Sequence, residues 1–209
     1  MQQYLSICGE TVTQKVIEKS RFITTSRHVE GEEQAKAFVE EIRGKYPDAT
    51  HNCSAYICDE LGNFLRFSDD GEPQGTAGMP MLEVIKNKKL YQTAVVVTRY
   101  FGGIKLGAGG LVRAYSGSAA ENLDVAQKVL YQTCSEGKYT VDYSCVDTAL
   151  RYLSEQGANL LNTEYLNEVI FTVAVKKDEE EDFNSSFLNR LNGKIKIEKL
   201  KEYFFPFKI

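Results

Sequence analysis

Apolar positions along this chain change period several times, and each change marks an element. Residues 11–29 carry Val12, Val16, Phe22 and Ile23 among polar neighbours, an extended pattern that Gly31 closes. Ala35, Phe38, Val39, Ile42 and Tyr46 then recur at helical spacing until Gly44 and Pro47 end the run, which predicts an amphipathic helix lying on a sheet. Residues 50–58 and 62–67 read as strands joined by a turn at residues 59–62, and a polar loop follows from Ser68 to about Gly78. Residues 91–98 contain Val95, Val96 and Val97 without alternation, as a central strand covered on both faces requires. The strand runs into a glycine cluster, after which Leu111, Tyr115, Ala119, Leu123, Ala126 and Leu130 predict a helix over 109–130. This first unit is α+β.

Residues 132–138 (QTCSEGK) read as a connection, and a short pattern complete in itself follows. Tyr139, Val141 and Tyr143 alternate as a strand; Val146, Ala149, Leu150 and Leu153 mark a helix ended by Gly157; residues 158–163 form a second strand. Val169, Phe171, Val173 and Val175 alternate in a third; Phe183, Phe187, Leu188 and Leu191 make a second helix stopped near Gly193, and Ile195 and Ile197 open a last strand. The order βαββαβ is that of the ferredoxin-like plait. Two domains are therefore expected, over residues 1–133 and 134–209. The terminal run Tyr203, Phe204, Phe205, Pro206 and Phe207 is expected to dock on its own core or on the other domain, with a partner surface as the sharper alternative.

Composition narrows the class. With 209 residues, 43% hydrophobic and 26% charged, the chain can bury a core, which excludes disorder, collagen and coiled coil. No run of about 18 apolar residues exists and the opening stretch is too polar for a secretory signal, so a cytoplasmic protein without a membrane partner is expected. Cys8, Cys53, Cys58, Cys134 and Cys145 are odd in number and include no Cys-x-x-Cys pair, as suits reduced thiols.

Charge is where function first shows. A net charge of -4 argues against a chain that is globally a nucleic-acid glue, but charge can cluster locally. Between Val84 and Ala120 there is no acid, whereas even spreading of 29 acids over 209 residues puts about five there. The same stretch holds Lys86, Lys88, Lys89, Arg99, Lys105 and Arg113. Nine of the sixteen glycines lie between Gly71 and Gly117, eight of them in two loops of opposite charge. The second, residues 99–110 (RYFGGIKLGAGG), leads from a buried strand into a helix, where backbone N–H groups at a helix start can hold an anion with help from Arg99, Lys105 and Arg113. The plainer alternative is that these glycines only turn the chain and pack the helix. Neither a Walker P-loop nor a Gly-x-Gly-x-x-Gly spacing is present.

In the first loop, residues 68–78 (SDDGEPQGTAG), Asp69, Asp70 and Glu72 are candidates for Mg²⁺ binding or for general acid–base work. Turn chemistry asks for the same residues, and salt bridges holding the basic loop would also use them. His51, Cys53 and Cys58 superficially resemble metal ligands, but on a strand 51 and 53 share a face that 58 does not. Ser68, His51 and Asp69 suggest a hydrolase triad without its Gly-x-Ser-x-Gly elbow. No metal or other cofactor is expected.

The residues SDDGEPQGTAG over 68–78 and VVVTRYFGGIKLGAGGLVR over 95–113, with Ser20-Arg21-Phe22 and Thr50-His51-Asn52-Cys53 as further landmarks, resemble the signature region of the YigZ/IMPACT family. The likeness spans residues 1 to about 130; the remainder resembles, in architecture, the small domain attached to bacterial members. The resemblance implies an N-terminal domain of the left-handed βαβ superfold shared by GHMP kinases, domain IV of elongation factor G and a small-subunit ribosomal protein. It implies likewise a C-terminal plait similar to domain V of elongation factor G. Eukaryotic members restrain a stress kinase through an additional N-terminal domain, a role not carried over to a chain that opens on the family domain. GHMP kinases normally carry Gly-Leu-Gly-Ser-Ser in their nucleotide loop, whereas Gly107-Ala108-Gly109-Gly110-Leu111 lacks the serines, which demotes a kinase.

Two functions are weighed. The favoured one is a non-enzymatic protein that binds RNA, the ribosome or translation factors, with regulation of translation as a further expectation. In it Arg99, Lys105, Arg113 and the backbone of Gly102, Gly103, Gly107, Gly109 and Gly110 meet phosphates, and Tyr100 and Phe101 stack on bases. The alternative is a hydrolase or phosphotransferase acting on a small phosphorylated or peptide-like substrate through His51, Asp69, Asp70 or Glu72.

Overall fold

Three consecutive valines in one strand need cover on both sides, and the chain supplies it. The computed structural model describes residues 3–209 and holds two sheets and five α-helices in an α+β arrangement. The elements in order are β1 (Tyr4–Ile7), β2 (Glu10–Ile17), β3 (Ser20–His28), α1 (Gly31–Lys45), β4 (His51–Ile57), β5 (Leu65–Ser68), α2 (Gly78–Asn87), β6 (Thr93–Tyr100), α3 (Gly107–Val125) and β7 (Lys128–Val141). They continue with α4 (Val146–Glu155), β8 (Asn159–Tyr165), β9 (Val169–Lys176), α5 (Glu180–Arg190) and β10 (Lys196–Lys208). Two compact units result, built on residues 4–130 and 131–207. No described helix is long and apolar enough to cross a membrane.

In the first unit the sheet order is β2-β3-β6-β4-β5 with every neighbouring pair antiparallel. β3 and β4 thus run parallel on either side of β6, and α1 joins them. β6 is the central strand. Its Val95 and Val97 pack with Phe22, Cys53, Ala55 and Ile57 beneath Met81, Leu82 and Ile85 of α2 and Tyr115, Ala119 and Leu123 of α3. Ala94 and Val96 face the opposite layer, where Ala35, Phe38, Val39 and Ile42 of α1 cover Tyr56 and Cys58. The helical stripe read from residue 35 onward is the buried face of α1.

Several local expectations need correction. Residues 11–29 are two strands, because Glu18 and Lys19 adopt φ of 45° and 62° and make a tight hairpin turn without the Asn-Gly or Asp-Gly pair that usually announces one. The long helix ends at Val125, since Ala126 is extended and the Lys128 ammonium donates to the carbonyls of Leu123 and Asp124 at 2.9 and 3.1 Å, closing the C-terminus. The stretch 132–138 is no connection. It lies inside β7, where residues 134–141 pair with β9. Gly137 serves a close approach: a Cβ there would stand 3.3 Å from the Glu198 carbonyl oxygen and 3.1 Å from the Tyr139 ring.

In the second unit β9 lies between β7 and β8, and β10 also pairs with β7, which gives the 4-1-3-2 strand order of the βαββαβ plait. Its core joins Tyr139, Phe171 and Val173 to Tyr152, Phe183 and Phe187, with Tyr152 and Phe187 stacked at 4.4 Å between centroids. The terminal aromatic run belongs to this same unit, for Phe207 is buried against Cys134 and Ala174.

Candidate functional site

The site forms where β6 ends. In register, Arg99 stands opposite Phe22 of β3 on one side and His51 of β4 on the other. Side chains alternate along a strand, so Arg99 projects to the same face as Val95 and Val97, under α3. It is therefore not a surface cation: 5% of the residue is exposed. Its Nη1 donates to Glu72 Oε1 at 2.6 Å, its Nη2 donates to Ser20 Oγ at 3.2 Å, and its guanidinium lies between the rings of Phe22 and Phe101 at 5.4 and 5.5 Å. Buried Nε has no partner. The Tyr115 hydroxyl, from the third turn of α3, donates to the same Glu72 oxygen at 2.7 Å. Arg99, expected to meet a phosphate, is here neutralised by Glu72 inside the fold.

The acidic and basic loops thus meet, through Glu72 and Arg99. The other two acids of residues 68–78 hold the loop itself. Asp69 accepts the N–H groups of Gly75, Ala77 and Gly78 at 2.8–3.0 Å, which caps the start of α2 from eight or nine residues upstream. Asp70 accepts the Asn52 N–H at 2.6 Å and an Arg43 Nη2 at 3.1 Å. These bonds are the turn chemistry the sequence offered as an alternative, and they leave neither carboxylate turned toward a substrate.

His51 Nδ1 lies 2.8 Å from the Asp70 carbonyl; a carbonyl only accepts, so Nδ1 carries the hydrogen and Nε2 faces Glu72 Oε2 at 3.8 Å. Ser68 Oγ accepts from Asp70 N–H rather than approaching His51, so the imagined triad has no geometry. Cys53 and Cys58 sit in the two opposite core layers, and no group of three His, Cys, Asp or Glu side chains suited to a metal occurs among the described residues. Burial pushes the Cys53 thiol well above its ordinary pKa, the nearby carboxylates adding to the effect and the adjacent Tyr115 hydroxyl opposing it, and Sγ–H donates to the Asp69 carbonyl at 3.0 Å. Burial raises Tyr115 still further. A thiol reagent added to the folded protein is expected to modify exposed Cys8 and spare Cys53 and Cys58 until denaturant is present. Mass spectrometry of the labelled peptides reads the order, and early labelling of Cys53 would contradict the closed site.

Outside this buried layer the glycine-rich loop is open. Phe101, Gly103, Ile104, Lys105, Gly107, Ala108, Gly109 and Arg113 are all exposed, Phe101 at 47%, while Gly102 and Gly110 are partly covered. The first turn of α3 has neither a capping side chain nor an acid. Among the described residues Lys105 and Arg113 make no ion pair, and neither does Lys19, which Gly102 packs against. Most cations elsewhere in this unit are paired, Arg27 with Glu41 and Lys88 with Asp124 among them. Tyr100 is half-buried, with the Arg21 guanidinium 4.3 Å from its ring centroid. Sequence reasoning missed Tyr115 as a polar partner, because it sits in an apolar helical stripe, and missed Lys19 and Arg21 as neighbours of the loop. Thr50 and Ser20 were seen only as landmarks, yet their hydroxyls accept the N–H groups of Phe101 and Gly102 at 3.0 and 3.2 Å.

Comparison with known proteins adds a lineage to this geometry. Residues 18–123 match the Impact N-terminal domain, and residues 140–194 match a domain of unknown function, DUF1949. The chain is 42% identical over 182 residues to "IMPACT family member YvyE" of Bacillus subtilis (strain 168), covering 87% of this chain and 84% of that one. It is 33% identical over 204 residues to "IMPACT family member YigZ" of Escherichia coli (strain K12), covering 97% and 100%. A solved structure titled "Crystal structure of an hypothetical protein" is similar with a TM-score of 0.61 and 32% identity, over 96% of this chain and 98% of that one.

Proposed function

This chain belongs to the IMPACT family, and from that premise we propose that it acts by binding RNA of the translation machinery, without catalysis, through the glycine-rich surface at the start of α3. The observation that carries the reading is that, among the described residues, Lys19, Lys105 and Arg113 make no ion pair around an exposed, acid-free loop whose helix-start amides have no side-chain cap. Cations without carboxylate partners are free to replace the counterions of a phosphate backbone, and that exchange is the main source of affinity for nucleic acids. Arg99 supports the loop from beneath, and Glu72 prevents it from being a direct phosphate contact. The rival enzymatic reading loses Asp69 and Asp70 to backbone bonds and Glu72 to the buried pair, which leaves His51 without a free acidic partner.

Fluorescence anisotropy with a labelled RNA oligonucleotide over a salt series tests this. Affinity is expected to fall steeply with salt, and removing one phosphate contact by Lys105→Ala is expected to lower the slope of log K against log salt by about 0.7–1. Lys105→Glu with Arg113→Glu is expected to abolish retention while leaving the thermal midpoint unchanged, since both side chains are exposed and neither makes an ion pair among the described residues. Unchanged affinity in the double variant would sink the proposal.

A further inference from the structure

We infer that this surface takes RNA in single-stranded form, with an unpaired base stacked on the ring of Phe101. The inference rests on the RNA reading above and narrows its ligand to one class.

An exposed aromatic ring is ordinary by itself. Phe101 differs in how it is held. Its N–H is fixed by Thr50 Oγ1, the next N–H by Ser20 Oγ, and the backbone of Gly102 lies so close to Lys19 that a Cβ there would stand 2.0 Å from the Lys19 carbonyl. The buried Arg99 guanidinium lies 5.5 Å from the ring centroid, held in turn by Glu72 and Ser20. The ring is thus anchored at its backbone on both sides and approached by a fixed cation from the protein interior, so presenting it to a base orders little that is not already ordered. Its neighbour Tyr100 is not equivalent, because it is half-buried and the Arg21 guanidinium occupies its ring. Ile104, 37% exposed, and Lys105 lie in the same loop as Phe101, Lys19 packs its backbone against Gly102, Arg113 lies beside Gly109, and among the described residues none of these three cations makes an ion pair.

A fixed, half-exposed ring among unpaired cations matches the chemistry of single strands, whose bases offer free faces next to their phosphates. It does not match a duplex, in which base faces are already stacked within the helix and only backbone and groove edges reach a protein. Cations alone would serve duplex and single strand alike, so the ring decides between them.

The chain contains no tryptophan, so Phe101→Trp places the sole indole at this position. Titration of that variant with a single-stranded RNA oligonucleotide is expected to quench its fluorescence, and the same strand annealed to its complement is expected to leave it unchanged. In parallel, Phe101→Ala is expected to weaken single-strand binding by about 5- to 150-fold, which Trp at the same position restores and Leu does not. Should single strand and duplex bind equally with the indole unperturbed, while Lys105→Glu still weakens both, stacking is overturned and the RNA reading survives. Should neither RNA bind at low salt, or Lys105→Glu change nothing, the RNA reading falls and this inference with it.

Discussion

Replacing Glu72 by alanine is expected to destabilise the N-terminal unit by about 3–5 kcal/mol, a large share of the 5–15 kcal/mol that typically holds a domain folded. The cost does not equal the strength of one ion pair. It arises because Arg99, whose side chain is 6% exposed, would keep its charge in the protein interior with no carboxylate to oppose it, and because the Tyr115 hydroxyl would lose its acceptor on Glu72. Arg99→Ala is expected to cost a similar amount by stranding Glu72, whose side chain is 4% exposed. The two losses should not add. A variant that removes all the polar partners together, Glu72→Leu with Arg99→Met and Tyr115→Phe, is expected to recover most of the stability, since hydrophobic replacement of a buried pair is often neutral or better. Urea midpoints for the singles and the triple test this. A loss of under about 1 kcal/mol for Glu72→Ala would mean that water reaches the pair, and the layered site described here would be wrong.

The triple variant also separates support from contact. If the buried pair serves to hold Phe101 and the loop, the refolded triple variant keeps its core but presents a looser ring, and single-strand RNA affinity drops while Lys105 and Arg113 are untouched. Stability and binding then part company in a way that a surface role for Arg99 could not produce.

Why Arg99 read as a loop cation is instructive. The apolar run made a strand plausible only to Thr98, which put Arg99 in the glycine-rich turn and free to face water. β6 in fact continues to Tyr100, and once it does, parity with Val95 and Val97 obliges Arg99 to point under α3. The alternative of salt bridges between the acidic and basic loops was legible from charge sign, but not that Glu72 of the three acids would make one, because 27 residues separate it from Arg99. α2 went unread for a related reason. Its cap is Asp69, eight and nine residues before the amides it satisfies, whereas local pattern reading looks for a cap beside the first turn. The valine triplet and the βαββαβ order were legible because burial on both faces, and alternation on one, write themselves into adjacent residues. What sequence alone withheld was every contact made between distant loops.

Within the glycine-rich loop, two substitutions of the same kind are expected to act in opposite directions. Gly102→Ala would place a methyl group 2.0 Å from the carbonyl carbon and oxygen of Lys19 and 2.5 Å from the nitrogen of Ser20, all backbone atoms of the tight β2–β3 turn. No flexible side-chain end can yield there, so the loop must lift off the turn, losing the Gly102 N–H bond to Ser20 as it does. A destabilisation of about 3 kcal/mol is expected, at the upper end for overpacking. Gly109 lies in the first turn of α3 without a positive φ, and a Cβ there would meet only the Arg113 Nη1 at an ordinary 3.6 Å. Gly109→Ala should therefore stabilise the protein by about 0.5–1 kcal/mol, by restricting the unfolded chain and favouring the helix. The same methyl group would stand over amides proposed to meet phosphate, so RNA affinity is expected to fall as the thermal midpoint rises. Calorimetry and anisotropy on the two variants decide the matter. If Gly109→Ala gains stability and binds RNA as well as the parent chain, the helix-start amides are not a contact, and the cations alone would have to carry the affinity.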